Sequence, residues 1–378
     1  GLNRPAEGWV ATLIEKINAS KAFVLAIDMP SGLFAHKIPK PGESIVKADL
    51  TITFQAPKLV FYLPQSSEYA GEVEVIDIGL DKEFLSSVQV KARLLDSDYI
   101  LDMYKPRKKF SHKGTYGHSL IIGGSHGKIG SISLTARAAL RSGAGMVSIY
   151  APSCGYQILQ TVLPEAMVLT DEGENELRNI KFDMDPEVIC FGMGAGTSEV
   201  TITAFKSLLQ SYKKPMVIDA DGLNILAKDK DLLGLVPSGS ILTPHPRELQ
   251  RLIGEWEDDL DKLEKAKALS QKYSLTLVLK DAHTIIITGE EMFVNNTGNP
   301  GMATAGAGDV LAGVITAFVS QGYSPQEAAV MGTFLHGCAG DLAAEILSYE
   351  GMIAGDITDY IGKAILELFK NDEESSSN

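Results

Sequence analysis

The chain is dominated by short, almost wholly apolar segments set apart by stretches with helical spacing. Phe23–Ile27, Leu50–Phe54 and Val73–Ile78 come first. His118–Ile122, Val147–Ala151, Val188–Phe191, Met216–Asp219, Ile241–Thr243 and Leu275–Leu279 follow. A strand that is apolar on both faces must be covered on both faces, which calls for helices on either side of a parallel sheet. The helical patterns between strands predict parallel crossovers, hence an α/β fold. Ile285–Thr288 and Met292–Asn295 read as a hairpin turning at Gly289-Glu290. Ser324-Pro325-Gln326-Glu327 reads as a capping box opening a late helix.

At 378 residues the chain has room for two or three domains of about 150 residues each. Residues 1–100 form one α/β region whose first helix (Trp9, Leu13, Ile14, Ile17) has no strand before it. Residues 101–370 form a longer one, with Leu94–Lys109 as connector, and the serine-rich tail 371–378 is expected to be disordered. A net charge of −14 argues against a nucleic-acid or anionic-membrane surface, either of which needs a basic patch. Cys154, Cys190 and Cys338 are too few and too scattered for a disulfide framework or a metal cage, so reduced thiols in the cytoplasm are expected. No apolar run reaches membrane-spanning length, and no signal peptide is expected.

Polar clusters follow the apolar segments, and in open α/β sheets ligands bind at the carboxyl ends of strands. Gly123-Gly124-Ser125, Gly192-Met193-Gly194-Ala195-Gly196 and Asp219-Ala220-Asp221 are three of them. Thr243-Pro244-His245-Pro246-Arg247-Glu248 and Lys280-Asp281-Ala282-His283-Thr284 are two more. Taken singly, each also reads as a tight turn or a helix cap. Glu248 could orient magnesium through water or simply favour a helix start. The most pointed cluster is Asn299-Pro300-Gly301-Met302-Ala303-Thr304-Ala305-Gly306-Ala307-Gly308-Asp309, which runs into an apolar helical segment. Small residues let backbone N–H groups approach a phosphate at a helix start. A carboxylate there suits a base that takes a proton from a hydroxyl meeting that phosphate; the plainer alternative is an N-cap.

In order and spacing, Lys113–Gly117, Ile121–Ser125, Ser142–Gly145, Asp219–Asp221, Leu242–Glu248, Lys280 and Gly306–Asp309 resemble the ADP-dependent NAD(P)H-hydrate dehydratases, which have a three-layer ribokinase-like fold. Gly1–Pro5, Ile27–Gly32 and Lys47–Phe54 with Pro57-Lys58 resemble the latter part of an NAD(P)H-hydrate epimerase domain, a partial Rossmann-like unit. Lys128-Ile129-Gly130-Ser131 departs from the dehydratase pattern after the Gly-Gly-Ser turn; separately, the front half of the epimerase domain is missing, so little epimerase activity is expected of this chain alone.

The resemblance implies a repair reaction. The (S)-hydrate of NADH or NADPH is dehydrated with ADP, or ATP, and Mg²⁺, releasing AMP and phosphate. Asp309 is the implied base. Lys280, Asp281, Ala282, His283, Thr284 and Asn299–Gly308 are implied to line the nucleotide. Gly194, Thr243–Leu249 and Asp309 are implied to meet the hydrate. In the epimerase part Gly1, Leu2, Asn3, Arg4, Pro5 and Asp28 are implied substrate contacts, and Ser31 a potassium ligand. A homo-oligomer is expected. The alternative is a small-molecule kinase of the ribokinase superfamily.

Overall fold

The apolar segments are strands in a computed structural model that describes residues 4–88 and 90–375. The described residues pack as two compact units: those up to Leu94 together with Glu255–Lys265, and Leu95–Gly254 together with those from Ala266 onward.

In the first unit, helix α1 (Trp9–Asn18) precedes strands β1 (Leu25–Ile27), β2 (Leu50–Phe54) and β3 (Glu72–Ile76). The three are parallel in the order β1-β2-β3, with Leu25 opposite Leu50 and Leu50 opposite Glu72. Ala26, Thr51 and Thr53 are buried on one face, while Leu25 and Ile27 on the other are 46% and 60% exposed. The expected two-sided burial therefore fails here. Helix α2 (Lys82–Ser87) and the short β4 (Arg93–Leu94) complete this stretch. Segment 255–265 joins the unit through reciprocal bonds. Gln65 N–H donates to Asp259 Oδ2 (2.8 Å), and Asp259 N–H donates to Gln65 Oε1 (2.7 Å). Buried Lys262 pairs with Asp259 at 2.7 Å. A boundary drawn near residue 100 misses this segment because it lies far along the chain.

The second unit opens with α3 (Ser97–Met103), so the expected connector is partly helical. It continues with β5 (His118–Ile122), α4 (Ile129–Arg141), β6 (Met146–Ala151), α5 (Tyr156–Val162), β7 (Met167–Thr170), β8 (Val188–Phe191) and α6 (Glu199–Ser211). Then come β9 (Met216–Ile218), α7 (Asp221–Lys228), β10 (Ile241–Leu242), α8 (Pro246–Ile253), α9 (Asp259–Tyr273), β11 (Thr276–Leu279), β12 (Ile285–Thr288) and β13 (Glu291–Val294). Helices α10 (Ala307–Ser320), α11 (Pro325–Gly351) and α12 (Ala354–Ser375) close it. Within this unit the strands of the sheet run β13-β12-β11-β10-β9-β8-β5-β6-β7. From β11 to β7 all pairs are parallel; β12 and β13 form the antiparallel hairpin at its edge. Ser324 and Glu327 make the expected capping box.

Successive side chains of a strand point to opposite faces. Cys190, Val217 and Val278 enter a core with residues of α4, α10, α11 and α12. Phe191, the neighbour of Cys190, turns the other way and stacks on Phe205 of α6 with ring centroids 3.9 Å apart. Both rings are fully buried, so Phe205→Ala should destabilise the unit by about 3–5 kcal/mol, read as a lower denaturation midpoint.

Helix α12 continues through Ser375, so residues 371–375 are helical where the sequence suggests disorder; residues 376–378 lie outside the described residues. Among the described residues no helix is long and apolar enough to cross a membrane.

Candidate active site

Five neighbouring parallel strands, β5, β8, β9, β10 and β11, deliver Gly123, Gly192, Asp219, Thr243 and Lys280 to one edge of the sheet, each just past its strand's carboxyl end. Gly192 has φ 127°, and a Cβ there would overlap the Asp219 carbonyl, so this glycine lets two strand ends approach. Ser125 Oγ donates to the carbonyl of Gly194 at 2.8 Å, tying the first two glycine turns together.

Asp219 is no helix cap. It is 2% exposed, and its Oδ1 receives both Lys280 Nζ and the Ala220 N–H, each at 2.8 Å. Asp221 opens α7, and its Oδ2 accepts the Gly196 N–H at 2.9 Å. On α8, His245 and Glu248 form a capping box. His245 Nδ1 accepts the N–H groups of Arg247 and Glu248, and Glu248 Oε2 accepts the His245 N–H at 2.9 Å. Glu248 therefore serves as a helix-start residue, yet it is 5% exposed and belongs electrostatically to the cluster. Burial raises its pKa, Lys280 opposes that, and Asp219 adds to it. The His245 pKa is lowered by burial and then by Lys280.

Helix α10 starts against this cluster. Its N-cap, Gly306, has φ 94°, in the left-handed region open to glycine, and no side chain caps the helix. Ala307 N–H bonds the Thr304 carbonyl at 3.3 Å, and the other amides of this first turn meet no capping side chain, the arrangement that suits phosphate. A Cβ on Gly308 would lie 3.3 Å from Lys280 Nζ and 3.7 Å from Asp219 Oδ2, so the buried pair abuts this first turn. Asp309 follows. Its pKa is pushed up to about 7, first by burial and next by the charge of Asp219; a hydrogen bond with Ser131 and the nearby Lys280 pull the other way. A carboxylate that titrates near neutrality beside a lysine and a helix N-terminus can accept a proton and can tolerate an anion close by.

The rest of the loop runs differently. Pro300–Met302 forms a turn of 3₁₀ helix capped by Asn299, and the Asn299 side chain faces Asp341 on α11 at 2.9 Å, not the α10 terminus. Lys280 N–H bonds Pro244 O at 3.0 Å, linking the ends of β10 and β11. Burial lowers the His283 pKa, and Asp281 and Ala282 lie exposed on the turn that follows. Ser131, His336 and Asp341 escape a sequence reading. His336 is buried with its pKa lowered to about 4, and its neutral Nε2–H donates to the Ala307 carbonyl at 3.0 Å. An alternation of glycines and polar residues along α11 was the available signal.

In the first unit, residues 27–36, among them Asp28 and Ser31, line a cavity of about 800 Å³. Asp28 has φ 65°. Lys58 lies 2.6 Å away, and its hydrogen bond is the leading cause holding the Asp28 carboxyl below its usual range. Arg4 and Pro5 are exposed and outside this lining; Gly1, Leu2 and Asn3 lie outside the described residues.

Residues 119–363 match the family described as NAD(P)H-hydrate dehydratase, and residues 1–60 match the YjeF-related protein N-terminus. The bifunctional NAD(P)H-hydrate repair enzyme of Moorella thermoacetica is 36% identical over 97% of this chain and 71% of its own length. The chain belongs to the bifunctional NAD(P)H-hydrate repair enzyme family. The Escherichia coli member is 35% identical over the whole of this chain and 72% of its own. Among solved structures, a ribokinase-like superfamily protein of Enterococcus faecalis matches with TM-score 0.65 and 26% identity, covering 74% of this chain and 98% of that one. The ADP/ATP-dependent NAD(P)H-hydrate dehydratase of Bacillus subtilis, co-crystallised with ATP and Mg²⁺, matches with TM-score 0.64 and 26% identity, covering 74% of this chain and all of that one. The second unit thus has the ribokinase-like fold, as the motifs implied.

Proposed function

We propose that the second unit dehydrates NAD(P)H hydrates with ADP, or ATP, as phosphoryl donor, releasing AMP and phosphate when ADP is used. The observation that carries this is Asp309 in the first turn of an uncapped α10, beside the Asp219–Lys280 pair. Hydroxide is a poor leaving group. Moving a phosphoryl group onto the substrate hydroxyl makes the leaving group phosphate. Asp309 takes the hydroxyl proton, the first amides of α10 and Lys280 hold the phosphoryl oxygens, and charge developing there meets donors already in place. Gly194 and Thr243–Leu249 form the wall for the nicotinamide side; Lys280–Thr284 and Asn299–Gly308 hold the nucleotide.

The residues fit Mg²⁺ brought with the nucleotide. Such an ion keeps several waters and needs only one or two carboxylates plus phosphate oxygens. Glu248, whose carboxyl burial pushes up, gains from a cation nearby, and when bound the ion would neutralise phosphate charge. For the first unit, epimerisation of the hydrates with Asp28 as substrate contact and K⁺ at Ser31 is proposed only where the front half of that domain is supplied; a homo-oligomeric, cytoplasmic protein with no role for nucleic acid or membrane extends the same reading. A kinase that stops at a stable phosphorylated product is the weaker reading, because residues 119–363 match the NAD(P)H-hydrate dehydratase family.

Incubation with hydrated NADH and ADP should restore near-ultraviolet NADH absorbance with one AMP and one phosphate per turnover. A stable phosphorylated hydrate, or no nucleotide requirement, would sink the assignment. Because the base must be unprotonated, turnover per enzyme should rise with pH through about 7. Bound phosphate adds negative charge beside Asp309, so the limb should lie no lower with nucleotide than without. A rate flat from pH 5 to pH 8 would contradict a base of this kind.

A further inference from the structure

Loop 297–308 is held from one side by a single face of α11. At its far end His336 Nε2–H donates to Ala307 O at 3.0 Å. At its near end one carboxylate receives two donors: Gly298 N–H to Asp341 Oδ2 at 2.8 Å, and Asn299 Nδ2 to Asp341 Oδ1 at 2.9 Å. Asn299 passes the restraint inward, its Oδ1 accepting the Gly301 N–H at 3.0 Å. Thr297 Oγ donates to the Phe334 carbonyl at 2.9 Å. Gly337 and Gly340 give the loop room, since a Cβ on the first would overlap Thr297 and one on the second would overlap Met302. The segment His336–Asp341 is thus shaped to the loop at both ends.

We infer that Asp341 is a positioning residue for the nucleotide: it touches no reacting atom, and it fixes the start of the loop so that the nucleotide meets donors already arranged. This rests on the nucleotide reading of loop 299–308 above. A carboxylate is required because both groups facing it are donors, and an amide would turn its own N–H₂ toward one of them. Holding the loop before binding lowers the ordering cost at association, so its loss should appear in nucleotide affinity more than in chemistry.

The test compares Asp341→Asn, Asn299→Ala and the double variant with the wild type in ADP titrations, steady-state kinetics and amide exchange. Asp341→Asn should raise the KM and Kd for ADP roughly ten- to hundredfold, in line with loss of charge-assisted bonds, while kcat at saturating ADP stays within about threefold. Exchange at Gly298 and Gly301 should quicken with core amides unchanged. The double variant should be little worse than Asp341→Asn, because both break one linkage. Unchanged KM with faster loop exchange would overturn the inference, as would a fall in kcat with KM intact, or global exchange with a lowered Tm and normal ADP affinity in the folded fraction. Failure of the nucleotide reading itself would show separately, as a wild type that does not bind ADP.

Discussion

Asp309→Asn should lower turnover by about 10²–10⁴-fold, the usual contribution of a positioned base, and leave ADP affinity within a few-fold. The side chain is half-buried at the first turn of α10, and its carboxyl pKa is pushed up to about 7. Asparagine keeps the size and loses the proton acceptor. The α10 amides and Lys280, which hold phosphate in the proposed mechanism, are untouched. Single-turnover measurements with hydrated NADH separate the two quantities; turnover within a few-fold of wild type would remove Asp309 from the chemistry.

The same substitution has a stability signature of known sign. The native carboxyl holds its proton up to about 7, against 3.8 for the ordinary side chain. Between those values the native state binds more protons than the unfolded chain, so this group's contribution to stability is fully present below 3.8 and is lost as pH rises through about 7. Asp309→Asn removes that loss. Its Tm relative to wild type should be higher at pH 8 than at pH 4. An equal difference at both would show that the carboxyl is not perturbed by burial.

Lys280→Met should be the second large effect, and it should act twice. It strips the ion partner from Asp219, which is 2% exposed. An uncompensated buried charge costs roughly 3–5 kcal/mol, which is roughly ten degrees in Tm for a domain of this size. It also removes the cation proposed to meet the phosphoryl oxygens, so nucleotide-dependent turnover should be lost beyond what unfolding explains. Adding Asp219→Asn to Lys280→Met should restore much of the stability and none of the turnover. A Lys280→Met protein that melts like wild type and retains ADP affinity would show that the pair serves neither role.

Strand positions in the second unit were legible from the chain because a parallel sheet covered on both faces admits few polar residues. His118–Ile122, Val188–Phe191 and Ile285–Thr288 coincide with the observed strands. β7 escaped although Ala166–Leu169 is apolar, because that run is short and its edge position leaves Met167 and Thr170 exposed. In the first unit Leu25 and Ile27 are as apolar as any core strand and still lie exposed, a matter of how many layers assemble around three strands. Short-range chemistry was readable too: the glycine-rich approach to α10 and the Ser324–Glu327 capping box depend on neighbours within a few residues.

Which local alternative each cluster took depended on residues distant in sequence. Asp219 could cap a helix or pair with a cation until β11 placed Lys280, 61 positions on, at 2.8 Å from it. Asp309 could be an N-cap until the fold placed Gly306 there and set Asp309 inside the first turn, where burial and Asp219 raise its pKa. Asn299 reads as a loop residue, and only α11 shows that Asp341 holds it. Backbone propensity and binary pattern are local, so most strands of the second unit, the Ser324 cap and the glycine turns could be read from the chain alone. Burial and Coulomb interactions add over everything nearby whatever its place in the chain, so the assembled fold settles which carboxylate has its pKa raised at the start of α10, which is paired with a lysine and which accepts the donors of a distant loop.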